Sequence, residues 1–170
     1  MGLLRHGDRD VPVRRFQMRE EMIAIGDDSW GTDESGAKAF HVDGKAVRLR
    51  DTWILQDADG NDVAEIKERK LTLRDKMHIV VRGHEATVTK RIIGIRDHFK
   101  IEMDGVADLS AHGNVVDHEY EIEQDGTKVA EISKKWFRVR DTYGVEVIGD
   151  TDPALVLAIT VAIDGMVGRA

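Results

Sequence analysis

The pentapeptide Leu49-Arg50-Asp51-Thr52-Trp53 recurs along the chain and decides the fold. Its clean copies are Leu73-Arg74-Asp75-Lys76-Met77, Ile95-Arg96-Asp97-His98-Phe99 and Val139-Arg140-Asp141-Thr142-Tyr143. The four copies begin at residues 49, 73, 95 and 139, so the gaps are 24, 22 and 44. Degraded copies are Ile25-Gly26-Asp27-Asp28-Ser29-Trp30 and Val115-Val116-Asp117-His118-Glu119-Tyr120, the second inside the double gap. Six copies at a fixed period indicate one supersecondary element used six times.

Turn signals of a second kind lie between these repeats. They are Ser35-Gly36, Asp43-Gly44, Asp59-Gly60, Arg82-Gly83, Asp104-Gly105 and Asp125-Gly126. A residue pair of this type between alternating apolar residues is a strong hairpin signal, because glycine and aspartate tolerate the positive φ of a primed turn. Six units of two strands therefore predict about a dozen antiparallel strands.

A dozen strands in sequence order suit either a propeller or a barrel. Propeller blades need about 40–45 residues each, and six two-strand units would supply only three blades. Propellers close with about four to eight blades. A closed antiparallel barrel removes its sheet edges, so the sequence favours a mainly β fold of this kind.

The residues after Asp152-Pro153 break the pattern with an apolar run over 154–163. Aspartate is a good N-cap and proline suits the first helical position, which favours a helix over about 153–166. The many valines and isoleucines leave a central β-strand as the alternative. A helix of about 21 Å is too short for a bilayer core of roughly 30 Å. Because a dozen-stranded barrel is too wide to fill with its own side chains, we expect this helix inside it.

Composition limits the classes of protein to consider. The 170 residues predict one domain over 15–170, preceded by a flexible polar tail over 1–14. A net charge of −7 without any basic stripe argues against a nucleic-acid partner. The absence of cysteine excludes disulfides and thiolate chemistry and agrees with a cytoplasmic location. The segment Met1 to Arg15 has no apolar run, so we expect neither a signal peptide nor a membrane span there.

The repeated Arg-Asp pairs allow two interpretations. Their arginines, Arg50, Arg74, Arg96 and Arg140, would form an anion-binding ring in the functional interpretation, because guanidinium groups bind phosphate bidentately. In the structural interpretation each aspartate accepts backbone amides at a bend between strands. Since every arginine is accompanied by a carboxylate that cancels its field, we favour the structural interpretation.

Basic residues also cluster at one phase of three units, as Lys67-Glu68-Arg69-Lys70, Lys90-Arg91 and Lys134-Lys135. Equal phase in a barrel predicts that they lie near one rim. That rim either meets an anionic membrane surface or is simply a solvated surface.

Some histidines and tryptophans are candidate site residues. His112 and His118, with Asp117 and Glu119, resemble metal ligands, but a site needs three or four that converge. We therefore predict no metal site, no cofactor and no catalytic residues, and the sequence assigns no binding residues. The tryptophans, Trp30, Trp53 and Trp136, are expected to pack in the core or at strand edges.

Several phrases taken in order resemble the LURP-one-related family. They are Ile25-Gly26-Asp27-Asp28, Val42-Asp43-Gly44-Lys45, Arg48-Leu49-Arg50-Asp51-Thr52, Lys70-Leu71-Thr72-Leu73-Arg74-Asp75 and Lys134-Lys135-Trp136-Phe137-Arg138-Val139-Arg140-Asp141. The resemblance covers roughly residues 15 to 167. It implies a twelve-stranded tubby-like barrel around a central C-terminal helix, a fold shared with phospholipid scramblases. Tubby proteins bind membrane phosphoinositides and scramblases move lipids.

These observations lead to one functional expectation with one alternative. We expect a non-enzymatic binding or scaffold domain, monomeric and cytoplasmic, that meets the membrane peripherally through anionic phospholipid or phosphoinositide. A protein partner is also expected. The alternative is an enzyme of unknown class with its site at a barrel rim.

Overall fold

The computed structural model describes residues 11–19, 29–43, 52–68, 76–93, 96–137 and 140–167. The strands in these ranges are β1 (Val13–Arg19), β2 (Ser29–Asp33), β3 (Lys38–Asp43), β4 (Thr52–Asp57), β5 (Asp62–Glu68), β6 (Lys76–Val81), β7 (His84–Ile93), β8 (Arg96–Met103), β9 (Leu109–Asn114), β10 (Glu119–Gln124), β11 (Thr127–Ser133) and β12 (Thr142–Ile148). Helix α1 (Pro153–Val167) follows them. Each strand pairs antiparallel with its neighbours in sequence, and β1 pairs with β12 to close the barrel. The predicted closed twelve-stranded barrel is confirmed.

The repeated phrase marks the start of every even-numbered strand. These strands begin at Ser29, Thr52, Lys76, Arg96, Glu119 and Thr142, each at or just after the aspartate-containing part of a copy. Each of the first five units is therefore an even strand, a tight turn and an odd strand, and the sixth is β12, which pairs with β1. The repeat in sequence corresponds to a repeat in structure, five hairpins and the β12–β1 pair arranged side by side around the barrel.

The turns within these hairpins follow their predicted chemistry. Arg82-Gly83 and Asp125-Gly126 have positive φ at both residues, as a two-residue type I′ turn requires. The β2–β3 turn is longer, and Asp33 Oδ1 accepts the amides of Ser35 and Ala37 at 2.9 and 3.0 Å. At the predicted turn Asp43-Gly44, Asp43 ends β3 and Gly44 lies outside the described residues.

Helix α1 fills the barrel, as predicted. Its cap is Asp152, whose Oδ1 accepts the amide of Ala154 at 3.0 Å. The helix is apolar on every side and its central residues, including Leu157 and Ile163, are fully buried in one core with the inward side chains of the strands. Close to its end, a Cβ on Gly165 would lie only 3.2 Å from the ring of Trp53. No helix in the part of the chain that the structure describes is long and apolar enough to cross a membrane.

The two ends of the barrel differ in the connections that they carry. The hairpin rim carries the tight turns 34–36, 58–60, 82–83, 104–106 and 125–126, and the connection rim is the opposite end, where odd strands finish and where the turn 115–118 lies. Helix α1 begins at the hairpin rim, where Arg82 Nε donates to Asp152 Oδ2 at 3.0 Å. It runs through the barrel and ends at the connection rim.

The predicted tail over 1–14 is too long by two residues. Val13 and Arg14 belong to β1, where Val13 lies opposite Ile148, and Arg14 donates to the carbonyl of Thr151 at 2.9 Å. Pairing with β12 is the reason, because the first strand is needed to close the sheet. Residues 1–10 lie outside the described residues.

Candidate functional site

Three polar side chains meet where α1 reaches the connection rim. Asp164 Oδ2 accepts a hydrogen bond from the Tyr143 hydroxyl at 2.7 Å, and Asp164 Oδ1 lies 3.2 Å from His118 Nε2. The side chains of His118 and Asp164 are only 13% and 9% exposed. We call these three residues the mouth cluster. It joins the helix to β12 and to the turn between β9 and β10.

The turn 115–118 aims the imidazole at the helix. His118 has a φ of 54°, in the left-handed region that histidine enters more readily than most residues. Its amide donates to the carbonyl of Val115 at 3.3 Å, which closes the turn. The imidazole then stacks on the ring of Tyr143, with centroids 4.2 Å apart and planes 13° apart. Backbone geometry and ring stacking together fix its orientation.

A second tyrosine lies in the same buried region. Burial raises the pKa of Tyr120 well above its ordinary value, the nearby Asp164 carboxylate raises it further, and the Thr160 hydroxyl opposes them. Tyr120 therefore stays a neutral hydroxyl. His118 Nδ1 is also buried, with no hydrogen-bond partner among the residues that the structure describes. An imidazole beside a carboxylate is found in many general bases. Here the second ring nitrogen of His118, Nδ1, is enclosed, so the main effect of the cluster is to hold the end of the helix in place.

The predicted basic clusters do come together at the connection rim, as far as they are described. Lys67 is near the end of β5, Lys90 and Arg91 are near the end of β7, and Lys134 and Lys135 directly follow β11. Arg69 and Lys70 lie outside the described residues. Some of these charges are paired, since Lys90 Nζ is 3.7 Å from Asp97 and Lys135 Nζ is 2.6 Å from Glu131. The basic clusters occupy the same position in their repeat units, and in the structure their described residues therefore lie near the same rim.

The hairpin rim is dominated by carboxylates. Those in or beside its turns and in the segment before α1 are Asp33, Glu34, Asp57, Asp59, Asp104, Asp108, Asp125, Asp150 and Asp152. Some have backbone partners, as when Asp57 Oδ1 accepts the amides of Asp59 and Asn61. These hydrogen bonds lower the pKa of Asp57, Asn61 contributing most. Among the residues that the structure describes, carboxylates therefore outnumber basic side chains at the hairpin rim.

The tryptophans divide between the core and the outer wall. Trp53 is buried in the core, as predicted. Trp136 is only partly buried and covers Gly144, with Lys135 Nζ 4.9 Å and Arg15 Cζ 5.3 Å from its ring. Trp30 on β2 is arranged similarly, with Lys38 Nζ 4.9 Å from its ring. Two lysines therefore lie over two partly exposed tryptophans.

The four histidine and carboxylate positions considered as metal ligands are not brought together. His118 is in the mouth cluster, whereas His112 points outward from β9. There His112 Nε2 lies 3.2 Å from Glu123 Oε1, and Glu121 is directly opposite His112 on β10. The neighbouring His98 has a lowered pKa because of burial, then because of His112 and Arg91. We call His112, Glu121 and Glu123 the wall cluster, a grouping that the sequence did not suggest.

Of the four arginines in the anion-binding interpretation, only Arg140 has a side chain that the structure describes. Arg50 and Arg74, with their partners Asp51 and Asp75, lie outside the described residues, and so does the side chain of Arg96. Arg140 is 95% exposed, with its Nε 3.9 Å from its own neighbour Asp141. The structural interpretation predicts that the Asp97 carboxylate accepts backbone amides. The described partner of this carboxylate is instead Lys90, whose Nζ lies 3.7 Å from Asp97 Oδ1.

Glu131 gives a prediction about pH. The hydrogen bond from Lys135, reinforced by Lys128, outweighs the opposing effect of burial and lowers the pKa of Glu131 below its ordinary value of 4.5. A carboxyl with a lowered folded-state pKa adds stability above its unfolded pKa, and that stability is lost as the pH falls through the folded pKa. We expect Glu131→Gln to lower the urea midpoint at about pH 7 but to leave it nearly unchanged at about pH 3. An equal loss at both pH values would contradict the ion-pair explanation.

By its fold, this protein belongs to the class of closed antiparallel barrels with twelve strands around one buried helix. The sequence model of the LURP-one-related family matches residues 14–164, and the chain belongs to that family. It is 24% identical over 149 residues to the uncharacterized protein YxjI of Bacillus subtilis (strain 168), covering 86% of this chain and 90% of that one. It is also similar to the X-ray structure of a protein from Arabidopsis thaliana, with a TM-score of 0.67 and 17% identity over 89% of this chain and 90% of the other. At this identity the second likeness concerns the fold alone.

Proposed function

We propose that this protein is a monomeric, non-catalytic binding domain that meets the anionic cytoplasmic face of a membrane through its connection rim. The observation that supports the proposal most strongly is the separation of charge along the barrel. Lys67, Arg91, Lys134 and Lys135 lie at or near one rim, whereas the carboxylates of the tight turns lie at the other. Anionic lipid attracts each nearby lysine or arginine by about 1 kcal/mol.

Part of the net charge of −7 lies far from this end, because many carboxylates are at the hairpin rim. Helix α1 has 15 residues and spans about 22 Å from one rim toward the other. Screening reduces charge interactions over a Debye length of about 8 Å at physiological ionic strength. The carboxylates of the hairpin rim are therefore screened from a surface that touches the connection rim. The same charge separation orients the molecule as it approaches.

Two apolar groups at the connection rim suit an interfacial position. Val116 is 62% exposed at the tip of the turn 115–118. Trp136 follows Lys134 and Lys135 directly and keeps part of its ring exposed. Tryptophan and lysine are favoured where an apolar body meets polar head groups. These residues supply a short-range contact in addition to long-range attraction.

Vesicle sedimentation with matched lysine variants tests the proposal. We expect binding to vesicles of phosphatidylcholine with phosphatidylserine or a phosphoinositide, and little binding to phosphatidylcholine alone. Lys135→Gln should weaken the binding about fivefold, the equivalent of one charge near the surface. Lys38→Gln is the control, because its ammonium lies over Trp30 just as that of Lys135 lies over Trp136, but Lys38 begins β3 just after the hairpin-rim turn 34–36.

The salt dependence and the control decide the result. Binding that weakens with added salt, and that falls in Lys135→Gln only, supports docking through the connection rim. Binding that is equal for all three vesicle compositions at low salt would refute the anionic-lipid proposal. Equal losses in both lysine variants would show that the attraction is not directed to one rim.

An enzyme of unknown class with its site at a barrel rim is the second candidate function, because of the mouth cluster. His118 and Asp164 place an imidazole and a carboxylate 3.2 Å apart at a barrel rim. Native mass spectrometry of the purified protein tests this alternative. A retained organic cofactor or substrate, lost in His118→Asn, would favour it over the binding domain.

A further inference from the structure

The wall cluster lies on the outside of the barrel, away from the connection rim surface proposed above to meet lipid. Glu121 and Glu123 are two residues apart on β10, so both side chains leave the same face of the sheet. His112 on β9 lies directly opposite Glu121. Side chains in such cross-strand positions are within reach of one another. The fold itself therefore brings one imidazole and two carboxylates together.

The distances suit a shared cation. One ligand atom from each residue lies within 4.8 Å of those from the other two. Ligand atoms about 2.0–2.2 Å from a zinc ion are roughly 3–3.6 Å apart when adjacent. His112 Nε2 and Glu123 Oε1 already lie 3.2 Å apart. All three side chains are partly exposed and can therefore change rotamer. A rotation of the Glu121 carboxylate would bring all three ligand atoms to a distance that suits one zinc ion.

The charges around the cluster leave room for a cation. Outward carboxylates face one another across strands, since Glu121 is opposite Glu131 and Glu131 is opposite Glu146. Like charges in such positions repel. Lys128 compensates Glu131 at 2.9 Å but is 3.6 Å from Glu121. Glu121 is thus held only weakly, and Glu123 has the imidazole of His112 as its near partner.

A groove beside the cluster gives access to it. It has a volume of about 320 Å³ and is lined by residues of β9, β10 and β11, including His112, Glu121 and Glu131. An imidazole with two carboxylates and an open side matches the pattern of three protein ligands with a free coordination position. We propose that His112, Glu121 and Glu123 bind one zinc-like divalent cation on the outer wall of the barrel. Calcium fits less well, because it prefers six to eight oxygen ligands.

Metal titration of the full chain tests this site. The protein is freed of metal with a chelator, dialysed, and titrated with Zn²⁺ by calorimetry and with Co²⁺ by visible absorption. We expect one saturable site per chain, and the absorption of Co²⁺ with mixed nitrogen and oxygen ligands. His112→Asn and Glu123→Gln should each weaken Zn²⁺ binding by at least about tenfold. Mg²⁺ and Ca²⁺ should bind much more weakly than Zn²⁺.

His78→Asn is the matched control. His78 Nε2 lies 3.8 Å from Glu85 on β7, so it is also a surface histidine beside a glutamate, but without a second carboxylate in the set. Zn²⁺ binding should be unchanged in this variant. The thermal unfolding midpoint measured without metal shows whether each variant is folded, and added Zn²⁺ should raise that midpoint only where the wall cluster is intact. Absence of saturable binding, or an equal loss in His78→Asn, would overturn the proposed site.

Discussion

Replacing Leu157 by aspartate is expected to unfold the domain. Leu157 is fully buried in the middle of α1, within a core formed by helix and strands together. A charge placed there without a partner costs several kcal/mol, which is comparable with the whole stability of about 5–15 kcal/mol of a typical domain. The measurement is the urea midpoint by circular dichroism, with Leu157→Met as the volume-matched control that should lose less than about 1.5 kcal/mol.

Removing the helix tests the same idea from the other direction. Deletion of residues 153–170 should leave an insoluble or molten chain, because the inward side chains of the barrel lose the helix that they pack against. A helix that served as a membrane anchor predicts the reverse. A truncated protein that is monodisperse, with an unchanged strand signal and a cooperative unfolding transition, would contradict a helix that fills the barrel.

The second large effect is expected at the mouth cluster. Removing His118 leaves the Asp164 carboxylate buried beside Tyr143 without its imidazole. Leaving a buried acceptor without its hydrogen-bond partner costs about 1–3 kcal/mol, and more where the group is charged. His118→Asn is the suitable change, because asparagine also tolerates a φ of 54° and its shorter side chain does not reach the helix. Its urea midpoint should fall clearly below that of the wild type.

A double-mutant cycle separates this pair from general loss of packing. Asp164→Leu should also destabilise, but the double variant should lose less than the sum of the single losses, by about 0.5–3 kcal/mol. His112→Asn is the control for a partly exposed histidine and should change stability by no more than about 0.5 kcal/mol. Strictly additive losses at His118 and Asp164 would mean that the two side chains do not stabilise each other.

Local signals were sufficient to predict most of this fold. Turns such as Asp125-Gly126 have one strongly preferred geometry, and alternation on either side marks the strands. The helix was predictable because Asp152-Pro153 is a typical helix start, which favoured a helix over the alternative of a central strand. The start of strand β1 was harder to predict, because Val13 and Arg14 pair with β12, which is far away in sequence. Nothing in the first residues themselves indicates that partner.

The mouth cluster could not be predicted for a related reason. An amphipathic helix shows which side faces the core, but α1 is apolar all round, so its sequence does not define its rotation inside the barrel. Whether Asp164 faces His118, Tyr143 or another strand depends on that rotation. The wall cluster depends instead on the register of β9 against β10. Their connection, 115–118, lacks the Asp-Gly signal that fixed the register elsewhere.

Closure of the barrel between β1 and β12 determines when this protein can finish folding during synthesis. Hairpin partners are made within a second or so of each other, whereas Val13 waits for Ile148, and at roughly 5–20 residues per second that delay is on the order of ten seconds. Until then the nascent chain has an open sheet with an unpaired edge. Its apolar interior also lacks the helix, which follows β12. The chain therefore passes through an aggregation-prone intermediate whose lifetime is set by translation, and slowing the ribosome over residues 140–167 should lengthen it.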